Sequence, residues 1–226
     1  MRLRAEYRVG PELRFLSNLD FMHLIERALR RAALPFALSS GFNPHIKLSM
    51  GTVLPVGVWG EREYFDLDLH EYVCPEEFTT RINFALPPGV EVKRAVPIDL
   101  STPSLMKVIN AASYVLILSR VNYSLSAFFE NLLNQPALIV KSKGKKKDLD
   151  KDLRSGIYRI DVEECEEVNR VHIWVAVGEP LNVRYDELLT LLQAYGLERS
   201  SLIDIFRSGN YIYQASEFLS PLEKVE

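Results

Sequence analysis

The chain has few of the residues that support metal, redox or disulfide chemistry. Its 226 residues include two cysteines and four histidines. Cys74 and Cys165 are too few and too far apart for a metal knuckle or a disulfide framework, so we predict two reduced thiols and a cytoplasmic protein. No two histidines have the spacing of metal ligands, and the motifs of nucleotide binding and serine hydrolysis are absent. The sequence therefore predicts no metal site and no cofactor.

Long apolar runs and a strong net charge are also absent. No apolar stretch approaches the roughly 18 residues that a membrane span requires, and residues 2–9 alternate like a strand rather than a signal peptide. We therefore expect neither export nor membrane insertion. The formal net charge is -3, which provides no global positive field for a polyanion. Any binding of nucleic acid must depend on local basic patches.

Residues 1–100 have the pattern of a ferredoxin-like module. A strand-like start is followed by an amphipathic helix with a capping box formed by Ser17 and Asp20. Strand-like runs at residues 34–38 and 63–69, a second helix and a last alternating run complete the module. This order, β-α-β-β-α-β, predicts the split unit of ferredoxin-like folds.

Residues 105–226 repeat this order with one added strand, after a connection rich in proline and serine. A lysine-rich hairpin is expected at residues 141–154, and residues 207–211 are expected to interrupt the last strand as a bulge or turn. The predicted fold class is therefore α+β, with two tandem ferredoxin-like (βαββαβ) modules and antiparallel sheets. A groove between the modules is the expected binding site.

Residues 39–60 are the most informative segment of the sequence. They contain four glycines, two prolines, a histidine and a lysine between two strand-like runs. Such a segment cannot continue regular structure, and polar groups on a loop above a rigid scaffold commonly form a binding surface. The candidate ligand contacts in this loop are Ser40, Gly41, Phe42, Asn43, His45, Lys47 and Ser49.

Three interpretations of His45 and Lys47 are open on sequence. A histidine beside a lysine can cleave RNA without a metal ion, by acid and base catalysis on a ribose hydroxyl and a phosphate. The pair can also contact a ligand without reacting. In the third interpretation, His45 only shapes the loop through a hydrogen bond.

Basic patches outside the loop are candidate contacts for phosphate. The first helix carries Arg27 and Arg30 on its polar face, and residues 141–147 are the densest run of positive charge. Three aspartates follow that run and cancel part of its field, so a solvated surface is the alternative for each patch. Arginines near strands supply guanidinium groups that suit phosphate or carboxylate. The candidate contacts of this kind are Arg27, Arg30, Lys143, Lys145, Lys146, Arg154 and Arg207.

Several segments of the sequence resemble a known family. They are Arg-Phe-Leu-Ser at residues 14–17, Ser-Gly-Phe-Asn-Pro-His-Ile-Lys-Leu-Ser at residues 40–49, Leu-Pro-Val-Gly at residues 54–57 and Glu-Tyr at residues 63–64, together with Asp20. They are similar to the radical-SAM-linked protein family, a domain of unknown function that is fused to, or encoded beside, cobalamin-binding radical SAM proteins. Ile46 and the pair Trp59-Gly60 depart from the pattern common in that family.

The resemblance implies a companion domain and supplies no activity. The radical SAM chemistry would belong to a partner enzyme, because this chain lacks the Cys-x-x-x-Cys-x-x-Cys motif that holds the cluster. The implied role is to bind the partner or to present its substrate, and the matching segments add Arg14 and Ser17 to the candidate ligand contacts. Tandem ferredoxin-like modules also occur in CRISPR repeat-processing endoribonucleases, which favours RNA only by analogy of fold.

Three functions are compatible with the sequence. The first is a non-catalytic binding module that holds RNA for a radical SAM enzyme, in which Phe42 or Tyr211 stacks on a base. The second is a pure protein-interaction module, which the acidic composition supports. The third is a metal-independent endoribonuclease that uses His45 with Lys47. We predict the first, because no further acid or base is apparent in the sequence to complete a catalytic set.

Overall fold

The computed structural model describes residues 1–144 and 149–223. Over these residues the protein has a mixed α+β fold with a mostly antiparallel sheet, which confirms the predicted class at that level. The chain divides into two compact units. The first unit contains Met1–Ile109 and the segment from Arg207 onward, and the second contains Asn110–Phe206.

The helices and strands are numbered in chain order. Before Asn110 they are β1 (Arg2–Val9), α1 (Asn18–Arg31), β2 (Leu48–Met50), β3 (Trp59–Asp68), α2 (Pro75–Ala85), β4 (Val90–Ile98) and α3 (Leu105–Val108). After it they are β5 (Ala111–Ser119), α4 (Leu125–Leu133), β6 (Ile139–Lys141), β7 (Asp150–Asp152), β8 (Ile157–Glu163), β9 (Val168–Ala176), α5 (Tyr185–Ala194), β10 (Leu202–Gln214) and β11 (Glu217–Leu219).

The sheet of the first unit has the strand order β4-β1-β3-β10, with β2 paired to β3 and β11 paired to β10. Alternation along β1 places Leu3, Ala5 and Tyr7 on one face, where they form a core with the buried side chains of α1 and α2. Helix α1 begins where Ser17 Oγ accepts a hydrogen bond from the backbone N–H of Asp20 at 3.1 Å. The sheet therefore holds both helices on its apolar face.

The opposite face of β1 carries charged side chains, of which Arg4 is fully buried. Arg4 donates from Nε and Nη2 to the carboxylate of Asp66 at 2.8 and 2.9 Å. Its guanidinium also donates to the carbonyls of Pro103 and Pro221. Leu222 packs on the same side in a small cluster with residues of α3. This pairing ties α3 and the C-terminal turn to the polar face of the sheet.

Residues 34–38 do not form the strand that the sequence predicts. They make only isolated bridges, through Phe36 and Leu38. The strand that pairs with β3 in this region is β2, in which Leu48 and Met50 alternate towards the core. The apolar alternation after the Gly- and Pro-rich tip therefore decides where pairing occurs.

The prediction that residues 207–211 interrupt the last strand is wrong, because β10 is continuous from Leu202 to Gln214. Arg207 donates from Nε to Glu63 Oε1 at 2.7 Å, and Asn210 accepts a hydrogen bond from Thr52 Oγ1 at 2.6 Å. These polar side chains are almost completely buried. The polar run resembles a turn in sequence. Inside the sheet, however, its side chains form hydrogen bonds with Glu63 and Thr52 of the first unit.

The second unit contains an antiparallel sheet in the order β5-β9-β8 and a separate β6-β7 hairpin. Glu187, in the first turn of α5, is completely buried and fastens that hairpin. It accepts hydrogen bonds from the backbone N–H of Lys143 at 2.8 Å and from Lys151 Nζ at 2.6 Å. None of the helices in the described parts of the chain combines the length and apolar character needed to cross a bilayer.

Candidate nucleic-acid interface

Residues 39–49 form a loop that is closed at its base. A bridge joins Leu38 to Ile46, and the backbone N–H of Ser39 donates to the carbonyl of His45 at 2.8 Å. In return, Ser39 Oγ accepts from the N–H of His45 at 3.0 Å. Ile46 is buried in the core below the loop. These contacts fix the two ends of the loop, so its tip projects from a defined base.

The tip of the loop presents its side chains to solvent. Phe42 is fully exposed. Gly41 adopts a φ of 128°, a conformation that other residues rarely adopt, so the shape of the tip depends on this glycine. The other predicted contacts of the loop are also exposed, namely Ser40, Gly41, Asn43, His45, Lys47 and Ser49. An exposed ring among hydrogen-bond donors is suited to stacking on an unpaired base.

Lys47 projects from a backbone that is held on both sides. Its N–H donates to the carbonyl of Ala37 at 2.9 Å, and its carbonyl accepts from the N–H of Asp68 at 3.0 Å. Because residues alternate between the two faces of a strand, Lys47 and Ser49 face outward while Leu48 packs inward. The exposed side chain of Lys47 therefore extends beside the loop from a fixed backbone.

The basic face of α1 lies beside the base of the loop. The guanidinium carbon of Arg30 lies 5.3 Å from the ring centroid of Phe36, two residues before the bridge that closes the loop. Arg27, one turn earlier on the helix, is exposed on the same side. The structure thus places Arg27, Arg30, Lys47 and the loop tip in one unit of the protein.

Arg14 and Ser17 line a different feature, a small crevice of the first unit. The crevice has a volume of about 20 Å³, which is room for about one water molecule. The hydroxyl of Ser17 caps α1, and the carbonyl of Arg14 accepts from the N–H of Gly57 at 2.7 Å. These contacts hold the second half of the 39–60 segment against the start of α1. The crevice is too small for a base.

Three predicted contacts, Arg207, Lys143 and Arg154, make bonds within the fold. The side chain of Arg207 is 2% exposed and binds Glu63. Burial raises the pKa of Glu63, and the charge of Arg207 acts in the opposite direction. In the second unit, Lys143 Nζ donates to Thr190 Oγ1 at 2.8 Å, and Arg154 Nε donates to the carbonyl of Leu133 at 2.8 Å. Each of these side chains thus connects two segments of its own unit.

Two predicted contacts, Lys145 and Lys146, lie outside the described residues. The hairpin that flanks them is described, and Asp152 there accepts hydrogen bonds from the backbone N–H groups of Leu138 and Arg154 at 2.8 and 2.9 Å. These two bonds lower the pKa of Asp152. Within residues 1–144 and 149–223, no group of three or more His, Cys, Asp and Glu side chains is arranged to hold a metal ion.

Two solved structures contain chains that align with this protein. A chain in the crystal structure of a Cbf5-Nop10-Gar1 complex aligns with a TM-score of 0.50 and 12% identity, over 92% of this chain and 48% of that chain. A chain in the structure of an H/ACA RNP bound to a substrate RNA containing 2'-deoxyuridine aligns with a TM-score of 0.44 and 11% identity, over 98% of this chain and 49% of that chain. This protein spans about half the length of each matched chain.

The first of these matches shows a common fold, and at this identity it shows nothing about activity. No curated protein matches the sequence. A family model described as "Uncharacterized protein conserved in bacteria (DUF2344)" matches residues 2–185, and the chain belongs to that family.

Proposed function

We propose that this protein is a non-catalytic binding module that holds RNA for a radical SAM enzyme. The observation that carries the RNA part is the closed loop at residues 39–49, which holds the fully exposed ring of Phe42 beside His45 and Lys47. Proteins that read RNA by sequence mostly bind unpaired bases by stacking them on aromatic rings. The hydrogen bonds between Ser39 and His45 fix the two ends of the loop, so its backbone loses less conformational freedom on binding than an open loop would.

The charges around the loop supply the second part of an RNA site. Lys47 is exposed beside the loop, and Arg30, which contacts Phe36 at the base of the loop, and Arg27 are exposed on α1. Phosphates that follow an unpaired base can pair with these side chains and release counterions. The protein has a net charge of -3, so this local patch, rather than the whole protein, would attract RNA.

Three finer expectations belong to the same proposal. The resemblance of residues 40–49 to the radical-SAM-linked protein family supports a radical SAM enzyme as the partner. The two free cysteines support a cytoplasmic location. The order β1-α1-β2-β3-α2-β4 supports a ferredoxin-like fold for the first of the two predicted tandem modules.

The first prediction concerns Phe42. Replacing it with alanine should weaken binding to an unpaired RNA of about 12 nucleotides roughly tenfold, because the stacking of one base is lost. The matched control is Phe84→Ala, which removes an exposed phenylalanine from α2. Fluorescence anisotropy of a labelled RNA measures both affinities. If the two variants bind RNA with equal affinity, Phe42 does not stack on a base and the loop is not part of the binding site.

The second prediction concerns the salt dependence of binding. Lys47→Gln and Arg27→Gln should each reduce the slope of log affinity against log salt by about one, because each removes one phosphate contact. Lys107→Gln, an exposed lysine of α3, is the control and should leave the slope unchanged. Binding that does not respond to salt in the unmodified protein would contradict an RNA role for this patch.

The third prediction separates binding from cleavage. His45→Ala should weaken binding about threefold, the value of one hydrogen bond, while RNA incubated with the unmodified protein stays intact. Gel electrophoresis and analysis of RNA ends check both results. Products that end in a cyclic phosphate, and that disappear in His45→Ala, would assign the endoribonuclease alternative instead.

A second candidate function is protein interaction without RNA. The observation in its favour is three apolar side chains that are neighbours in sequence of residues lining the crevice, Phe15, Val53 and Val56, each more than half exposed. Such a module would remain attached to its partner enzyme after nuclease treatment and in high salt. RNA retention that fails in every salt condition, together with this stable attachment, would favour the second candidate.

A further inference from the structure

A second aromatic cluster lies in the second unit, on the face of the sheet that β8 and β9 share. His172 and Trp174 are two residues apart on β9 and therefore project from the same face. Both are partly exposed, whereas Val171, Ile173 and Val175 between and beside them are completely buried on the other face. This face of β9 thus carries two partly exposed rings, whereas the residues opposite them on β5, Val115 and Ser113, are buried.

The two rings and an arginine form one connected arrangement. The ring centroids of His172 and Trp174 are 4.9 Å apart, with planes at 76°. Arg159 lies opposite Trp174 on β8, and its guanidinium carbon is 4.9 Å from the centroid of the Trp174 ring. Asp161, opposite His172, accepts from Arg159 Nε at 2.8 Å. The side chain of Arg159 is still 59% exposed.

We infer that Trp174, His172 and Arg159 form a second stacking site, which takes an unpaired base of RNA. This inference rests on the proposed RNA function, and it names single-stranded RNA as the class of ligand. Every base has a π face that stacks on an indole ring, so the site tolerates different sequences. The bases of a duplex are already stacked on each other, so a duplex leaves this site empty.

The charge of the site indicates whether stacking or ion pairing supplies most of its binding energy. Asp161 balances Arg159, so the cluster adds no net positive charge to the surface. The guanidinium of Arg159 is partly exposed to solvent, so N–H groups that do not bind Asp161 can donate to the phosphate of a stacked nucleotide. Stacking should therefore dominate, and loss of Trp174 should lower the affinity without changing the salt slope.

Tryptophan fluorescence tests the inference directly, because the chain contains two tryptophans and Trp59 is buried in the first unit. In a Trp59→Phe variant, Trp174 is the remaining tryptophan. Titration with a single-stranded RNA of about 12 nucleotides should quench its emission with the same midpoint as the anisotropy of labelled RNA. A duplex of equal length should cause no quenching.

Substitutions complete the test. Trp174→Ala should weaken single-stranded binding about tenfold, and Trp174→Phe should keep most of the affinity, which separates stacking from loss of structure. Tyr195→Ala, a partly exposed aromatic residue at the end of α5, is the control and should bind normally. RNA binding without quenching, or with full affinity in Trp174→Ala, would overturn the inference and leave the proposed function standing. Absence of RNA binding in every assay would overturn both.

Discussion

Replacing Arg4 with methionine is expected to lower the free energy of unfolding by about 3–5 kcal/mol. The side chains of Arg4 and Asp66 are 1% and 4% exposed, so removal of the guanidinium leaves a carboxylate buried without its cation. The carbonyls of Pro103 and Pro221 lose a donor in the same variant. Urea denaturation followed by circular dichroism measures the loss, and limited proteolysis should show an earlier cut in the C-terminal turn.

The neighbouring pair on the same strand provides the control. Arg2 donates to Asp68 at 2.6 Å, but these side chains are 23% and 16% exposed. Arg2→Met should therefore cost only about 1 kcal/mol, because water can solvate the remaining carboxylate. The double variant Arg4→Met with Asp66→Leu should recover most of the stability, since no buried charge is left unpaired. Equal losses for Arg2→Met and Arg4→Met would show that burial is not the cause.

Arg207→Met is expected to destabilise the protein by a similar amount, about 3–5 kcal/mol, for the same reason. Glu63 would stay buried and keep the hydrogen bond from Asn210 Nδ2, at 3.1 Å, but it would lose its cation. The carbonyls of Thr52 and Val53 would lose the donors that hold them to β10. Arg62→Met is the control on the same strand as Glu63, and we expect it to cost about 1 kcal/mol because Arg62 is exposed.

The pH dependence of this variant gives an independent check. Burial raises the pKa of Glu63, and removal of Arg207 removes the main opposing charge. A carboxyl group whose pKa is raised in the folded state binds a proton more readily when folded, so stability rises as pH falls through that pKa. The deficit of Arg207→Met should therefore shrink between about pH 8 and about pH 5. If the stability difference between Arg207→Met and the unmodified protein does not change with pH, the loss comes from the hydrogen bonds to the carbonyls of Thr52 and Val53.

The same variant also distinguishes a structural arginine from a ligand contact. If Arg207 only supports the fold, Arg207→Met should bind RNA normally at a temperature where it is still folded. A loss of affinity of about tenfold or more in the folded variant would return Arg207 to the predicted set of phosphate contacts.

Elements with local signals were predictable from the sequence. β1 follows from a period of two in its apolar residues, and α1 follows from its apolar stripe and the hydroxyl of Ser17. The exposure of the loop tip also follows locally, because Gly41 and Pro44 stop regular pairing there. In each case the deciding residues lie within one turn or one strand of the feature.

The remaining features depend on partners that are distant in the sequence. The run at residues 207–211 looks like a turn until Glu63 and Thr52 satisfy its polar groups. Alternation places Trp174 on the outer face of β9, but it cannot tell whether another segment covers that face. The contact between Arg30 and Phe36, which brings α1 to the base of the loop, depends equally on tertiary packing.

The return of β10 to the first unit has a consequence for folding during synthesis. Glu63 and Arg207 are 144 residues apart in the chain, and the whole second unit lies between them. At about 5–20 residues per second, a ribosome needs roughly 7–30 s to deliver Arg207 after Glu63 has been made. Residues 110–206 are made during that interval, while the edge of β3 waits in water for its last strand. While this edge is unpaired, its backbone N–H and C=O groups can pair with the wrong strand. This is therefore the stage of synthesis at which we expect misfolding and chaperone binding to be most frequent.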